Sequence, residues 1–224
     1  MLKGMKAKRQ LAAFVALAVG GAFAGAPAAY AAESSNDKST LVEMNDTRLT
    51  GDGSAAHPYG NIVGTDLLNG SVTGNHLTIG KLIQPSPGLP YVNGTITAGG
   101  KATTDADVSG NTLTINNINL IGNAYGGEGK GSVFNNIVEM NGGTVTGELH
   151  GGHAESMVQQ TGTDKAIENT VRMSGGTVTG ALYGAYSATG GATHGKVELT
   201  NAGGTVYGTV KAGADGIAIV GGRG

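Results

Sequence analysis

The chain lacks cysteine and tryptophan altogether, and its 224 residues include only five prolines and 13% charged side chains. Without cysteine no disulfide can form, and the lipid-modified cysteine of a bacterial lipoprotein is excluded. Burial and backbone pairing must therefore hold the fold. Beyond residue 31 no apolar run approaches the roughly 20 residues of a bilayer-spanning helix. Nor does any stretch of helical apolar period appear there, which argues against an all-α class.

The first ten residues carry Lys3, Lys6, Lys8 and Arg9 and no acid. An apolar run from Leu11 to Phe23 follows, then Pro27 and the tripeptide Ala29-Tyr30-Ala31. A charged region, a short apolar region and an A-x-A site are the parts of a cleavable secretory leader. Residues 1–31 are expected to be the signal peptide, and cleavage after Ala31 would leave Ala32 as the new N-terminus. Four of the 14 basic residues lie in that leader and none of the 16 acids does, so the segment from Ala32 carries a formal charge of −6. No basic cluster remains, which argues against nucleic acid or an anionic membrane surface as a partner.

Glycine is abundant, at 42 residues. It does not recur at every third position, so collagen is excluded, and the many Val, Ile and Thr residues argue against disorder. The glycines punctuate repeats. Residues 136–152 read NIVEMNGGTVTGELHGG, and residues 169–185 read NTVRMSGGTVTGALYGA, a spacing of 33. A third copy, KVELTNAGGTVYGTVKAG, begins at Lys196 with two extra residues before its Gly-Gly pair. Upstream, VTGNHLTI at 72–79 matches VSGNTLTI at 108–115, a spacing of 36. Tyr125-Gly126-Gly127 resembles His150-Gly151-Gly152 and Tyr183-Gly184-Ala185.

Each unit alternates apolar and polar residues with the period of a strand buried on one face. Val138, Met140, Val145 and Leu149 are expected to point inward, with Val171, Met173, Val178 and Leu182 at the equivalent positions. Glu139, Arg172 and Glu198 fall at equivalent outward positions and are expected to stack as an acid–base–acid ladder facing solvent. Gly142, Gly143, Gly175 and Gly176 are expected at corners that need positive φ. Short strands with glycine corners, repeated every few tens of residues, describe an all-β fold: a right-handed parallel β-helix, or β-solenoid, of about five or six coils. Equivalent Asn and Thr residues could form hydrogen-bonded ladders along the stack. The expected organisation is a leader over 1–31, a polar cap or disordered segment over 32–60, and solenoid repeats over 61–224. Residues 153–168 and 186–194 vary in length and are expected to leave the stack as loops. The proline-rich residues 84–90 are expected to form a loop as well.

The G-N-x-L-T-I strands and G-G-T-V-T-G-x-L-Y-G units, behind a leader and without cysteine, resemble bacterial autotransporter passenger domains over roughly residues 61–220. That resemblance implies a right-handed β-helix displayed on, or released from, the surface of a diderm bacterium. It implies an adhesin or structural stalk whose ligand lies on a host or neighbouring cell. It also implies an outer-membrane translocator barrel. None is present, and the chain ends at Gly221-Gly222-Arg223-Gly224 in mid-repeat. The barrel is therefore expected on a longer chain, or the gene is truncated and the product non-functional.

Motifs for chemistry are sparse. GGEGKGS at 126–132 resembles a phosphate loop, but Gly131 stands where Ser or Thr must follow the lysine, and a surface turn explains it. His150-x-x-His153 could present two imidazoles to a metal, yet His150 occupies the slot of Tyr125 and Tyr183, where a stacked ring suffices. Ser54 in Gly51-Asp52-Gly53-Ser54 precedes every histidine, against the order expected of a passenger serine protease. No catalytic residue, cofactor or metal site is expected. A polysaccharide-degrading β-helix enzyme is the alternative reading, since fold alone does not exclude catalysis.

Overall fold

The protein is described by a computed structural model over residues 30–31, 39–64, 70–81, 88–99, 101–102, 104–155, 169–188, 195–200, 204–213 and 217–220. Strands and turns make up these residues and no helix forms among them. All the strand pairings are parallel.

Four sheets result. A seven-stranded sheet orders Ser39–Val42, His76–Ile79, Thr112–Ile115, Ile137–Met140, Thr170–Met173, Lys196–Leu199 and Ile217–Val220. A five-stranded sheet takes Tyr91–Asn93, Ile118–Ile121, Gly143–Val145, Thr177–Val178 and Thr205–Val206. An eight-stranded sheet runs through Tyr30–Ala31, Ile62–Val63, Ile96–Thr97, Ala124–Gly129, Leu149–Ala154, Leu182–Ser187 and Val210–Lys211, with Lys101–Ala102 also paired to Ala124–Gly129. The smallest sheet joins Val72–Thr73, Val108–Ser109 and Val133–Phe134. From Thr112 to Lys211, successive repeats each give one strand to each of the three larger sheets, always in the same order.

The register aligns like with like. Leu77, Leu113, Val138, Val171 and Val197 form one column, and Ile79, Ile115, Met140, Met173 and Leu199 another. Val138, Met140, Val145, Leu149, Val171, Met173, Val178 and Leu182 are all buried in one core shared by the three larger sheets. A smaller second core gathers Val72, Ala102, Val108, Val133, Ala154 and Ala185.

A column of buried asparagines separates the two cores along the chain, since Asn111 falls between Val108 and Leu113. The Oδ1 of Asn111 accepts from the backbone N–H (3.0 Å) and the Nδ2 (2.8 Å) of Asn75. Asn136 accepts likewise from Asn111, at 3.1 and 2.8 Å, and Asn169 from Asn136, at 3.1 Å for both. The amides also donate to main-chain carbonyls: Asn111 to Val72, Asn136 to Val108 and Phe134, Asn169 to Val133. Burial without these partners would cost about 1–3 kcal/mol per group, so a slip of one position along the column is strongly disfavoured.

Glycines make room for the column. A Cβ on Gly99 would lie 2.7 Å from the Asn111 amide, one on Gly127 2.6 Å from that of Asn136, and one on Gly152 2.3 Å from that of Asn169. The next register position after Asn169 is Gly195, and the residue aligned with Gly152 is Ala185. Where the asparagine gives way to glycine, the facing glycine gives way to alanine.

Several expectations change. Ser39–Val42 and Ile217–Val220, which lie outside the repeats read from the sequence, join the seven-stranded sheet by backbone register. Residues 39–60 contribute Val42, Leu49 and Tyr59 to the main core. The glycine-rich residues read as a surface turn at 126–132 are largely strand, Ala124–Gly129, and buried throughout; the turn is confined to 130–132. Strands likewise extend through Ala154 and Ser187, into the stretches expected to be loops. Of the corner glycines, Gly143 (φ 88°) and Gly176 (φ 89°) take the left-handed conformation; Gly142 and Gly175 do not. Those two are instead required by close approach, to Asn117 Oδ1 and to the Asn141 carbonyl. Ala29, Ala32 and the leader before them lie outside the described residues, as do 84–87, while Tyr30–Ala31 pair with Ile62–Val63.

Two stability measurements test this arrangement. Val178 is fully buried and Arg172 is exposed. Val178→Asp is expected to cost about 4 kcal/mol or more, and Arg172→Ala less than about 1 kcal/mol, by urea denaturation. Equal losses would mean that inside and outside are misassigned. Gly152→Ala is expected to cost about 2 kcal/mol by overpacking. In an Asn169→Gly background it should cost at least about 1 kcal/mol less, reproducing the Ala185–Gly195 arrangement. Strict additivity would show that the two positions do not share space.

Candidate functional site

The outer surface of the eight-stranded sheet carries the densest cluster of functional side chains. Leu149 enters the main core and Ala154 the second core, while Gly151 and Gly152 face inward against Thr170 and Asn169. His150 and His153 are left on the other side, three residues apart on one strand. Their ring centroids are nonetheless only 5.3 Å apart, so the strand bends and its outer face is re-entrant. The neighbouring strands bend with it, because the register holds: Tyr125 and Tyr183 flank His150, and Glu128 and Tyr186 flank His153.

Two columns fill this corner. In the first, Tyr125 lies tilted against His150 at 4.9 Å and His150 stacks on Tyr183 at 4.8 Å. In the second, His153 and Tyr186 stack nearly parallel at 5.1 Å, with Glu128 next to His153 in the same column. Edge-on contacts of His150 with Tyr186 and of Tyr183 with Tyr186 lock the columns together. Asn123 Nδ2 donates to the Tyr125 hydroxyl at 3.0 Å. Lys101 Nζ joins Glu128 (2.9 Å) to Glu155 (2.8 Å) across the second column. Lys211 lies over the Tyr183 ring at 5.9 Å.

Burial sets the charges here. His150 is only 2% exposed. Its Nε2 lies 3.0 Å from Glu148 Oε2 and its Nδ1 has no partner. Desolvation, helped by the neighbouring His153, pulls its pKa down to about 3, so the ring is neutral and Nε2–H donates to Glu148. Burial also lowers His153, against the opposing pull of Glu128, whose Oε1 is 3.8 Å from Nδ1, too far for a hydrogen bond. Burial pulls Lys101 down as well, but the carboxylates of Glu155 and Glu128 outweigh it and hold the ammonium above its ordinary value. The Lys101 hydrogen bond in turn holds Glu155 below the usual carboxylate range.

The ladder of Glu139, Arg172 and Glu198 lies on the outside of the seven-stranded sheet, aligned in register. Arg172 Nη1 donates to Glu139 Oε1 at 3.1 Å and Nε to Glu198 Oε2 at 2.7 Å, and Lys196 extends the chain to Glu198 at 2.7 Å. With every charge paired, it is a solvent-facing network. Ser54 sits in a local turn, its hydroxyl accepting from the His57 backbone N–H and its own N–H donating to Asp52. Among the described residues no three His, Asp or Glu side chains are placed to hold a metal ion. The sequence pointed to the Tyr125–His150–Tyr183 column through its Gly-Gly context. It gave no sign of the Glu128–His153–Tyr186 column or of Lys101, whose residue types differ from repeat to repeat.

No known protein family matches the chain, and comparison with curated proteins and with solved structures yields no match.

The neutral histidines make stability depend on pH. The unfolded chain takes up protons near pH 6.5 that the folded ring stack refuses, so the histidine contribution is complete above pH 6.5 and falls away as pH drops toward 3. The lowered carboxylates, Glu155 and Glu198 among them, lose their contribution only below about pH 4.5. The urea midpoint is therefore expected to fall between pH 7 and pH 5, and to fall less in the His150→Phe/His153→Tyr double variant. A flat wild-type midpoint across that window would refute the neutral, desolvated assignment.

Proposed function

We propose that the chain is an exported, non-enzymatic β-solenoid of the autotransporter-passenger type, serving as an adhesive surface or stalk. The observation that carries this reading is the register: three parallel sheets receive one strand from each repeat, in the same order, around one shared core. Joining the sheets as faces of a single right-handed coil is the simplest path for such a chain, since parallel crossovers are right-handed in about 98% of cases. Its outer faces then offer a long surface of small polar residues and one ring-lined corner. No helix among the described residues is long and apolar enough to cross a membrane. The leader supplies the route out of the cytoplasm, and the absence of cysteine suits a chain that crosses an outer membrane unfolded.

Expression of the full chain in a diderm host tests the reading. Fractionation is expected to find the protein outside the cytoplasm with Ala32 as its N-terminal residue. Protein that stays in the cytoplasm and still begins at Met1 would overturn it, and turnover of a polysaccharide by the purified protein would transfer the case to the enzyme alternative.

A further inference from the structure

The ring stack has ends. His150 is covered on both faces, but among the described residues Tyr125 has a ring neighbour only on the side of the following repeat. In its own column the preceding register positions are Thr97 and Val63, which are small. The column therefore drops from ring height to the height of a threonine, and the step is a cleft of about 250 Å³. Tyr125 contributes to one wall. Glu128 and Lys101 line one side and Asn61 and Thr95 the other.

The chemistry of these walls selects among ligands. The cleft lies on the outer face of the strand Ile62–Val63, where Val63 lines it and Ile62 points into the core, so it offers side chains to a ligand and not a backbone edge to an extended peptide. The Lys101 ammonium is already held by two carboxylates, so the cleft has no net positive charge for a polyanion. A tyrosine that is 8% exposed at the cleft, beside a carboxylate, an amide and hydroxyls, matches a ring with C–H groups and with hydroxyls at its rim. The volume is below the roughly 300–1,000 Å³ of sites for drug-sized ligands, and so suits a single sugar unit. The Tyr125 ring is already oriented, by Asn123 and by His150, so little ordering is needed on binding.

We propose that the step beneath Tyr125 is a binding subsite for one sugar residue of a neutral glycan. This rests on the reading of the protein as an adhesive surface and gives that surface a ligand class; failure here would leave the export experiment untouched. Calorimetric titration of the full exported chain with maltohexaose, cellohexaose and chitohexaose, with oligogalacturonate as the anionic comparison, tests it. Saturable binding of at least one neutral hexasaccharide is expected. Val63→Trp places an indole in the cleft and is expected to weaken that binding at least tenfold, whereas Arg172→Ala, on another sheet, leaves it unchanged. The chain has no other tryptophan, so a blue-shifted emission from the introduced indole verifies that the variant folds with its cleft filled. Should that emission show the indole in solvent, Thr95→Trp is the second blocking variant. No saturable binding of any neutral probe, tighter binding of oligogalacturonate, or binding that survives a filled cleft would overturn the proposal.

Discussion

Three asparagine oxygens, on Asn111, Asn136 and Asn169, each accept a main-chain and a side-chain hydrogen bond from the asparagine one repeat earlier. The rest of the structure depends on that column. It sits between two apolar cores, and it has one register in which its polar atoms are satisfied. Once the asparagines are in line, Leu113 must lie over Val138 and Tyr125 must lie beside His150. Columns elsewhere add to it, as where Asn141 donates to Asn116 and Ser174 to Asn141 at the opposite corner. Apolar burial supplies most of the driving force; the amides decide which of several similar stacks forms.

The same constraint shapes the outer corner. Because Gly127 and Gly152 must stay bare to admit the Asn136 and Asn169 amides, the strands that carry them curve toward the interior. That curvature leaves the side chains on the far side converging. His150 and His153 meet as rings, although their separation along a flat strand would keep them apart. The aromatic corner is thus a by-product of packing an amide column on the inside. Its ordered rings, neutral imidazoles and paired Lys101 follow from geometry that the core imposes.

Much of this was legible in the residues. Gly-Gly-Thr-Val-Thr-Gly recurs unchanged at 142–147 and 175–180, so the alternation around it could be assigned to inside and outside position by position. The acid–base–acid order of Glu139, Arg172 and Glu198 follows from the same alignment. Hydrogen-bonded ladders of equivalent asparagines were expected from the repeats, and the column bears that out, but its burial was not legible. Asparagine usually marks turns and exposed sites, and its burial depends on glycines that face it across the core from a different strand. Gly126 and Gly127 misled in the opposite direction, since glycine reads as a turn while here it marks close backbone approach within a strand. The second outer column was hidden because glutamate, histidine and tyrosine share no pattern; only the pairing of Glu128 with His153 and of His153 with Tyr186 unites them.

The repeats differ in length by up to 11 residues, with aligned positions separated by 36, 25, 33 and 26. The register does not notice. Successive strands meet at the same columns however much chain intervenes, through the asparagines as far as Asn169 and, over the step to Gly195, through apolar columns such as Val171 over Val197. The stack is in that sense a loom with fixed warp threads and free weft. A change in the amount of chain between one column and the next leaves the frame unchanged, and such a scaffold can vary in length from repeat to repeat without renegotiating how it folds.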